Sequence, residues 1–125
     1  MSRGIIAQME FFFPEDGLQR TPPEDTRIVS LKAEPYADAR RVHVKLEMSP
    51  FEKRPHLEVT LSDSQGQEIS STSFIEPMAW NMEFTLHLRS TPGPGPLTLE
   101  ARLYYPDGPT APVCSVQFDL DQDQD

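Results

Sequence analysis

Three histidines, one cysteine and twenty acidic side chains are the groups of this 125-residue chain that could do chemistry. Their spacing fits none of the common catalytic arrangements. There is no Gly-x-Gly-x-x-Gly, no phosphate loop, no Cys-x-x-Cys, no His-Glu-x-x-His and no Gly-x-Ser-x-Gly. Gly93-Pro94-Gly95-Pro96 puts proline where a phosphate cradle needs backbone N–H groups. Cys114 would need a histidine beside it to act as a nucleophile, and its apolar position in an alternating run predicts a small packed hydrophobe instead. His43 and His87 fall at outward positions of two other alternating runs. With Glu47 or Glu83 they offer the imidazole and carboxylate ligands of a surface zinc site, although the simpler expectation is two solvated histidines out of register. The chain is therefore expected to be no enzyme and to need no cofactor or metal.

Charge narrows the partners. The formal net charge is −9, which argues against a nucleic-acid or anionic-membrane binder, because both need a positive field. Within that acidic chain Arg40, Arg41, Lys45, Lys53 and Arg54 make residues 40–56 locally basic, a stretch that suits an acidic partner or simply solvates an exposed sheet face. Asp119, Asp121, Asp123 and Asp125 end the chain without the glycine-turned loop of a calcium site, so they read as a solubilising tail. A lone cysteine has no internal disulfide partner. The apolar stretch near the N-terminus is too short for a signal-peptide core, and no run approaches membrane-spanning length. A soluble cytoplasmic protein is expected.

The elements that would carry these groups are strands. Residues 80–88 read Trp-Asn-Met-Glu-Phe-Thr-Leu-His-Leu, with apolar and polar side chains in strict alternation, the period of a strand with one buried face. The same period recurs at Val42, Val44, Leu46, Met48; at Leu57, Val59, Leu61; at Leu97, Leu99, Ala101, Leu103; and at Cys114, Val116, Phe118, Leu120. Seven strands are expected after residue 26, over 27–33, 40–48, 56–61, 67–75, 80–89, 97–105 and 113–120, the fourth a short Ser/Thr-rich edge. Thirteen prolines and six glycines separate them. Before them, residues 5–13 alternate as a further strand whose three consecutive phenylalanines need cover along a sheet edge, in the same chain or in a second copy, and 21–25 read as an extended polar linker. The organisation is thus an N-terminal strand and linker over 1–26, an antiparallel two-sheet β-sandwich over 27–120 and an acidic tail over 121–125. Such an all-β chain is one domain in size.

Strand count and spacing over roughly residues 27–120 resemble immunoglobulin-like and fibronectin-type-III-like sandwiches. Leu103-Tyr104-Tyr105, near the end of the sixth strand, is similar to a common feature of such folds, whereas the paired cysteines are absent and Trp80 stands at the fifth strand instead of an early one. The resemblance implies that the second and fifth strands are neighbours in one sheet. It implies no site, because such sandwiches host unrelated functions.

Antiparallel succession places alternate connections at the same end of the domain, which gathers residues 49–55, 76–79 and 106–112. These loops carry Pro50, Pro55, Pro77, Pro106, Pro109 and Pro112 with Phe51 and Met78. Rigid apolar loops lose little entropy on binding, so Phe51, Lys53, Arg54, Met78 and Pro109 are the candidate partner-binding residues; the plainer alternative is a lid over the core. The expected function is a non-catalytic protein–protein interaction module, an adaptor or assembly subunit. The alternative is a small-molecule or carbohydrate-binding module using Trp80, Tyr104 or Tyr105 as a stacking platform.

Overall fold

Alternation becomes seven strands in a computed structural model that describes residues 20–120. They are β1 (Ile28–Pro35), β2 (Arg41–Met48), β3 (His56–Ser62), β4 (Glu68–Ile75), β5 (Asn81–His87), β6 (Leu97–Tyr104) and β7 (Cys114–Phe118). They form two antiparallel sheets in the orders β1-β2-β5 and β4-β3-β6-β7. The molecule is an all-β two-sheet sandwich, and β2 lies beside β5 as the resemblance implied. The strand expected over 5–13 and the acidic tail over 121–125 lie outside the described residues. No helix among the described residues is long and apolar enough to cross a membrane.

The core follows from period two. Val42, Val44, Leu46 and Met48 of β2 face Leu57, Val59 and Leu61 of β3 and Leu97, Leu99, Ala101 and Leu103 of β6, all buried. These strands are flanked on both sides by neighbours, so their inward side chains are sealed. Strands at the sheet edges seal theirs only in part: Leu31, Phe74, Met82, Phe84, Cys114 and Val116 pack against the core while keeping some exposure. Along β5, Asn81, Glu83 and His87 point to water, and Thr85 is half-buried because its hydroxyl meets that of Tyr36 at 3.3 Å.

Two connections differ from the sequence reading. Residues 21–25 do not run extended: Pro23–Asp25 form a turn of 3-10 helix, for which the fixed φ of Pro22 and Pro23 is already suited. Thr26 is buried behind it, its hydroxyl donating to the Pro22 carbonyl at 2.9 Å. β4 is an edge strand as expected, but with eight residues it is as long as any in the sheet. It enters through a tight turn in which one Asp63 carboxylate oxygen accepts the N–H groups of Gln65 and Gln67 at 3.0 and 2.9 Å, with Gly66 at a φ of 86° that other residues avoid.

This gradient from central to edge strands has a measurable consequence. Leu103→Ala, at a fully buried position, is expected to cost about 2–5 kcal/mol, whereas Phe84→Ala on edge strand β5 should cost no more than about 1.5–3 kcal/mol for the area it covers. Urea unfolding of the two variants checks the order. A larger loss for Phe84→Ala would show that the β4–β5 side is more closed than its exposure indicates.

Candidate functional site

At the end of the sandwich where β2 passes to β3 and β4 to β5, the two crossing loops enclose a groove of about 790 Å³. The first loop is held down by the chain that precedes β1. The Thr21 N–H donates to the Pro50 carbonyl at 2.7 Å and the Glu52 N–H to the Thr21 carbonyl at 2.9 Å, so a parallel bridge clamps the backbone around Phe51. The second loop is anchored by the Glu76 N–H, which donates to the Pro55 carbonyl at 3.1 Å, and by the Met48 N–H, which donates to the Trp80 carbonyl at 2.7 Å. Glu76 adopts a φ of 52°, a left-handed backbone that costs a non-glycine residue about 1–2 kcal/mol. That turn carries Met78 away from the core.

The clamp overturns one expectation. Phe51 is only 5% exposed and meets Trp80 edge-on, ring centroids 6.1 Å apart. It is therefore the floor of the groove and not a contact residue on its rim. A sequence signal was present in the Thr21-Pro22-Pro23 run, which is stiff enough to lie across the loop, but pairing over thirty residues of chain cannot be read from spacing.

The other candidates separate. Met78, 84% exposed, and Lys53 and Arg54, both exposed, do line the groove beside Phe51 and Trp80. Pro109 does not: its carbonyl accepts the Tyr105 N–H at 3.0 Å, and its loop folds back along β6, where the Ala111 N–H donates to the Leu103 carbonyl at 2.9 Å. That loop is tied to the groove through Tyr105, whose hydroxyl donates to the Lys53 carbonyl at 2.7 Å while the Lys53 ammonium lies 6.0 Å from the Tyr105 ring. Arg20, which the sequence reading did not single out, places its guanidinium 5.8 Å from the Trp80 ring. Three cations thus surround an aromatic floor together with two carboxylates, Glu52 and Glu76, and among the described residues neither Lys53 nor Arg54 is engaged in an ion pair.

The basic stretch 40–56 does not act as one patch. Arg41 begins β2 and Lys53 follows its end, about 24 Å away along a strand at 3.4 Å per residue. Arg41 is occupied at the far end, 3.0 Å from Asp38 and stacked on Tyr36. The Arg40 N–H, bonded at 2.9 Å, holds the Asp38 carboxyl below the usual range, with Arg41 adding to the effect. The two outward histidines are diagonal neighbours and not a facing pair: His43 faces Thr85 and bonds Glu83 at 3.1 Å, while His87 faces Arg41. Among the described residues no group of three His, Cys, Asp or Glu side chains is placed to hold a metal ion.

No protein-family model and no curated protein matches the chain. Among solved structures it is similar to two of a β-glucuronidase from Parabacteroides merdae, one of them with glycerol in its active site, at 14% identity and TM-scores of 0.54 and 0.57. The likeness covers 75% of this chain and only 14% and 13% of the other, so the chain spans about one seventh of that enzyme's length. A conjugate transposon protein from Bacteroides vulgatus is covered over 97% of its chain at 13% identity, with a TM-score of 0.45. At these identities the likeness concerns the fold alone.

Burial pushes the Tyr105 hydroxyl above the usual tyrosine value of 10.0, opposed by the nearby Thr26 hydroxyl. The folded state then keeps this proton to higher pH than the unfolded chain does. The contribution is intact below the unfolded value and is lost as pH rises through the folded one. Tyr105→Phe is expected to cost about 0.5–1.5 kcal/mol at neutral pH, the worth of one hydrogen bond. It should also flatten the alkaline fall of the urea midpoint; an equally steep fall in the variant would assign that slope to other groups.

Proposed function

We propose that this domain is a non-catalytic module that binds another protein, serving as an adaptor or assembly subunit, and that the end groove receives a partner segment carrying an apolar side chain next to a carboxylate. One observation supports this reading above the rest: Met78 stands exposed over the Phe51–Trp80 floor with Arg20, Lys53 and Arg54 around it, in a chain whose net charge is −9. An apolar floor fixed by backbone hydrogen bonds is preorganised, so binding costs little ordering. The three cations outnumber Glu52 and Glu76 in the lining, and that excess of positive charge favours acidic segments over basic ones.

The small-molecule alternative has less to work with. Tyr105 is buried, and the Trp80 ring is met by Phe51 at its edge and by Arg20 over its face. Tyr104 remains half-exposed on the outer sheet face, tilted against His56 at 5.5 Å. A flat sheet carrying one open aromatic ring is a weak stacking platform for a sugar.

Selection from a displayed library of random peptides tests the proposal. Enriched sequences are expected to pair an aromatic or large aliphatic residue with Asp or Glu. Met78→Ala should weaken the selected peptides by about tenfold without moving the melting midpoint, since an exposed side chain adds little to the fold. Lys53→Ala and Arg54→Ala should chiefly slow association and flatten its salt dependence. Enrichment that survives all three substitutions, or binding to an oligosaccharide array in place of peptides, would remove the groove from this role.

A further inference from the structure

A second surface, which meets the groove only at Glu76, is the outer edge of β4. Four strands end the two sheets, and the other three carry features that discourage pairing. β1 contains Lys32, ends in Pro35 and breaks register between Ile28 and Ser30; β7 has five residues and follows Pro112; β5 bears the charged Glu83. β4 has eight residues, no proline or lysine and no charge beyond Glu68, and its own register break lies at its start, at Ile69, leaving Ser70 to Ile75 regularly paired with β3. Natural edges of this length are ordinarily blunted.

Hydrogen bonds fix which of its backbone groups are open. The Glu76 N–H bonds inward to Pro55, and the Ile69 carbonyl bonds outward to the Arg89 N–H at 3.0 Å. Because direction alternates along a strand, the outward groups belong to Ser71, Ser73 and Ile75, and among the described residues nothing pairs with them. Their side chains are exposed, two are small, and Ile75 is 73% exposed.

We infer that β4 pairs antiparallel with β4 of a second copy of this chain, about a twofold axis at Ser73. Only this register uses all three open residues. Sliding one way brings the partner against Ile69, whose carbonyl Arg89 already holds; sliding the other way brings Pro77, which has no N–H. About Ser73 the pairs are Ser73 with its own counterpart and Ser71 with Ile75, twice, and each pair exchanges both its hydrogen bonds. The strands are uncharged across the contact, so nothing repels there. At its ends Glu76 of one copy arrives opposite the uncharged Ser70 of the other, next to Arg89, which is paired with Glu68 at 2.9 Å. The half-buried Phe74 and Phe84, 4.8 Å apart on this side of the sandwich, gain cover as the copies abut. Both four-stranded sheets become one sheet of eight. A contact of this extent belongs to the small, transient class of interfaces.

Sedimentation equilibrium of the full chain, with amide hydrogen exchange, tests the pairing. The mass is expected to rise with concentration from 14.2 kDa towards twice that value, with slowed exchange at Ser71, Ser73 and Ile75 in the heavier species only. Ser73→Pro removes the central N–H, which β3 does not use, and should weaken dimerisation by at least about tenfold with the melting midpoint of the monomer retained. Ser73→Lys should do the same by placing like charges on the axis. The inference is overturned by a chain that stays monomeric at every concentration, whether those amides exchange fast or are covered within one molecule. It is equally overturned by a dimer that both Ser73 substitutions leave as tight as before.

Discussion

A β-strand with period two can bury one face only, and the architecture of this chain follows from where that face finds a partner. β2, β3 and β6 have strand neighbours on both sides, so Val44, Leu57, Leu99 and Leu103 lose essentially all contact with water. Residues of the same kind on β4 and β5, Phe74 and Phe84, lie at the margin and remain half-covered. Fully burying such a side chain is worth about 1.5–3 kcal/mol, so the central strands hold the sandwich together. The margins and ends are left with apolar surface that the core does not need. Both surfaces assigned here to partners lie in that remainder.

What alternation encodes was legible. All seven strands are present within a few residues of the spans that the pattern implied, Met82, Phe84 and Leu86 turn inward, and Cys114 packs against the core as a hydrophobe. What depends on register or on contacts between distant segments was not legible. His43 and His87 sit on neighbouring strands as the resemblance implied, yet the register offsets them by two residues, with Thr85 facing His43 and Arg41 facing His87. One residue of slip reverses a strand's faces, and nothing in a single sequence sets the offset between strands forty residues apart.

Phe51 shows the same limit in a loop. Its neighbours Pro50, Glu52 and Lys53 advertise an exposed turn, and a lone aromatic among them reads equally well as an anchor for a partner or as a plug for the core. The choice is made by Thr21, thirty residues earlier, whose two backbone hydrogen bonds, with a third from its hydroxyl to the Pro50 carbonyl, press the loop backbone towards the sandwich. The consequence reaches past that one side chain. With Phe51 seated beneath it, Trp80 is held edge-on, Arg20 is drawn over the indole face, and Met78 becomes the apolar residue that the groove presents. A contact residue was misassigned, but the end of the molecule was not, because strand succession fixes which loops share an end whatever their side chains do.

The charge pattern links the groove and the strand edge. Acidic side chains stand on the outward faces at Glu47, Glu58, Glu83 and Glu100, interspersed with Lys32, Lys45 and Arg102. Two regions depart from this. Around Phe51 and Trp80 the cations Arg20, Lys53 and Arg54 outnumber Glu52 and Glu76, and along Ser70 to Ile75 there is no charge at all. In a chain at −9, a neutral strand edge is where two identical copies can approach without bringing carboxylates together, while a cationic hollow is a poor place for the copies to meet and a good one for an acidic stranger. The two proposed surfaces thus differ in electrostatics: the β4 edge, being uncharged, suits a like copy, and the loop groove, with its excess of cations, suits an unlike, acidic one.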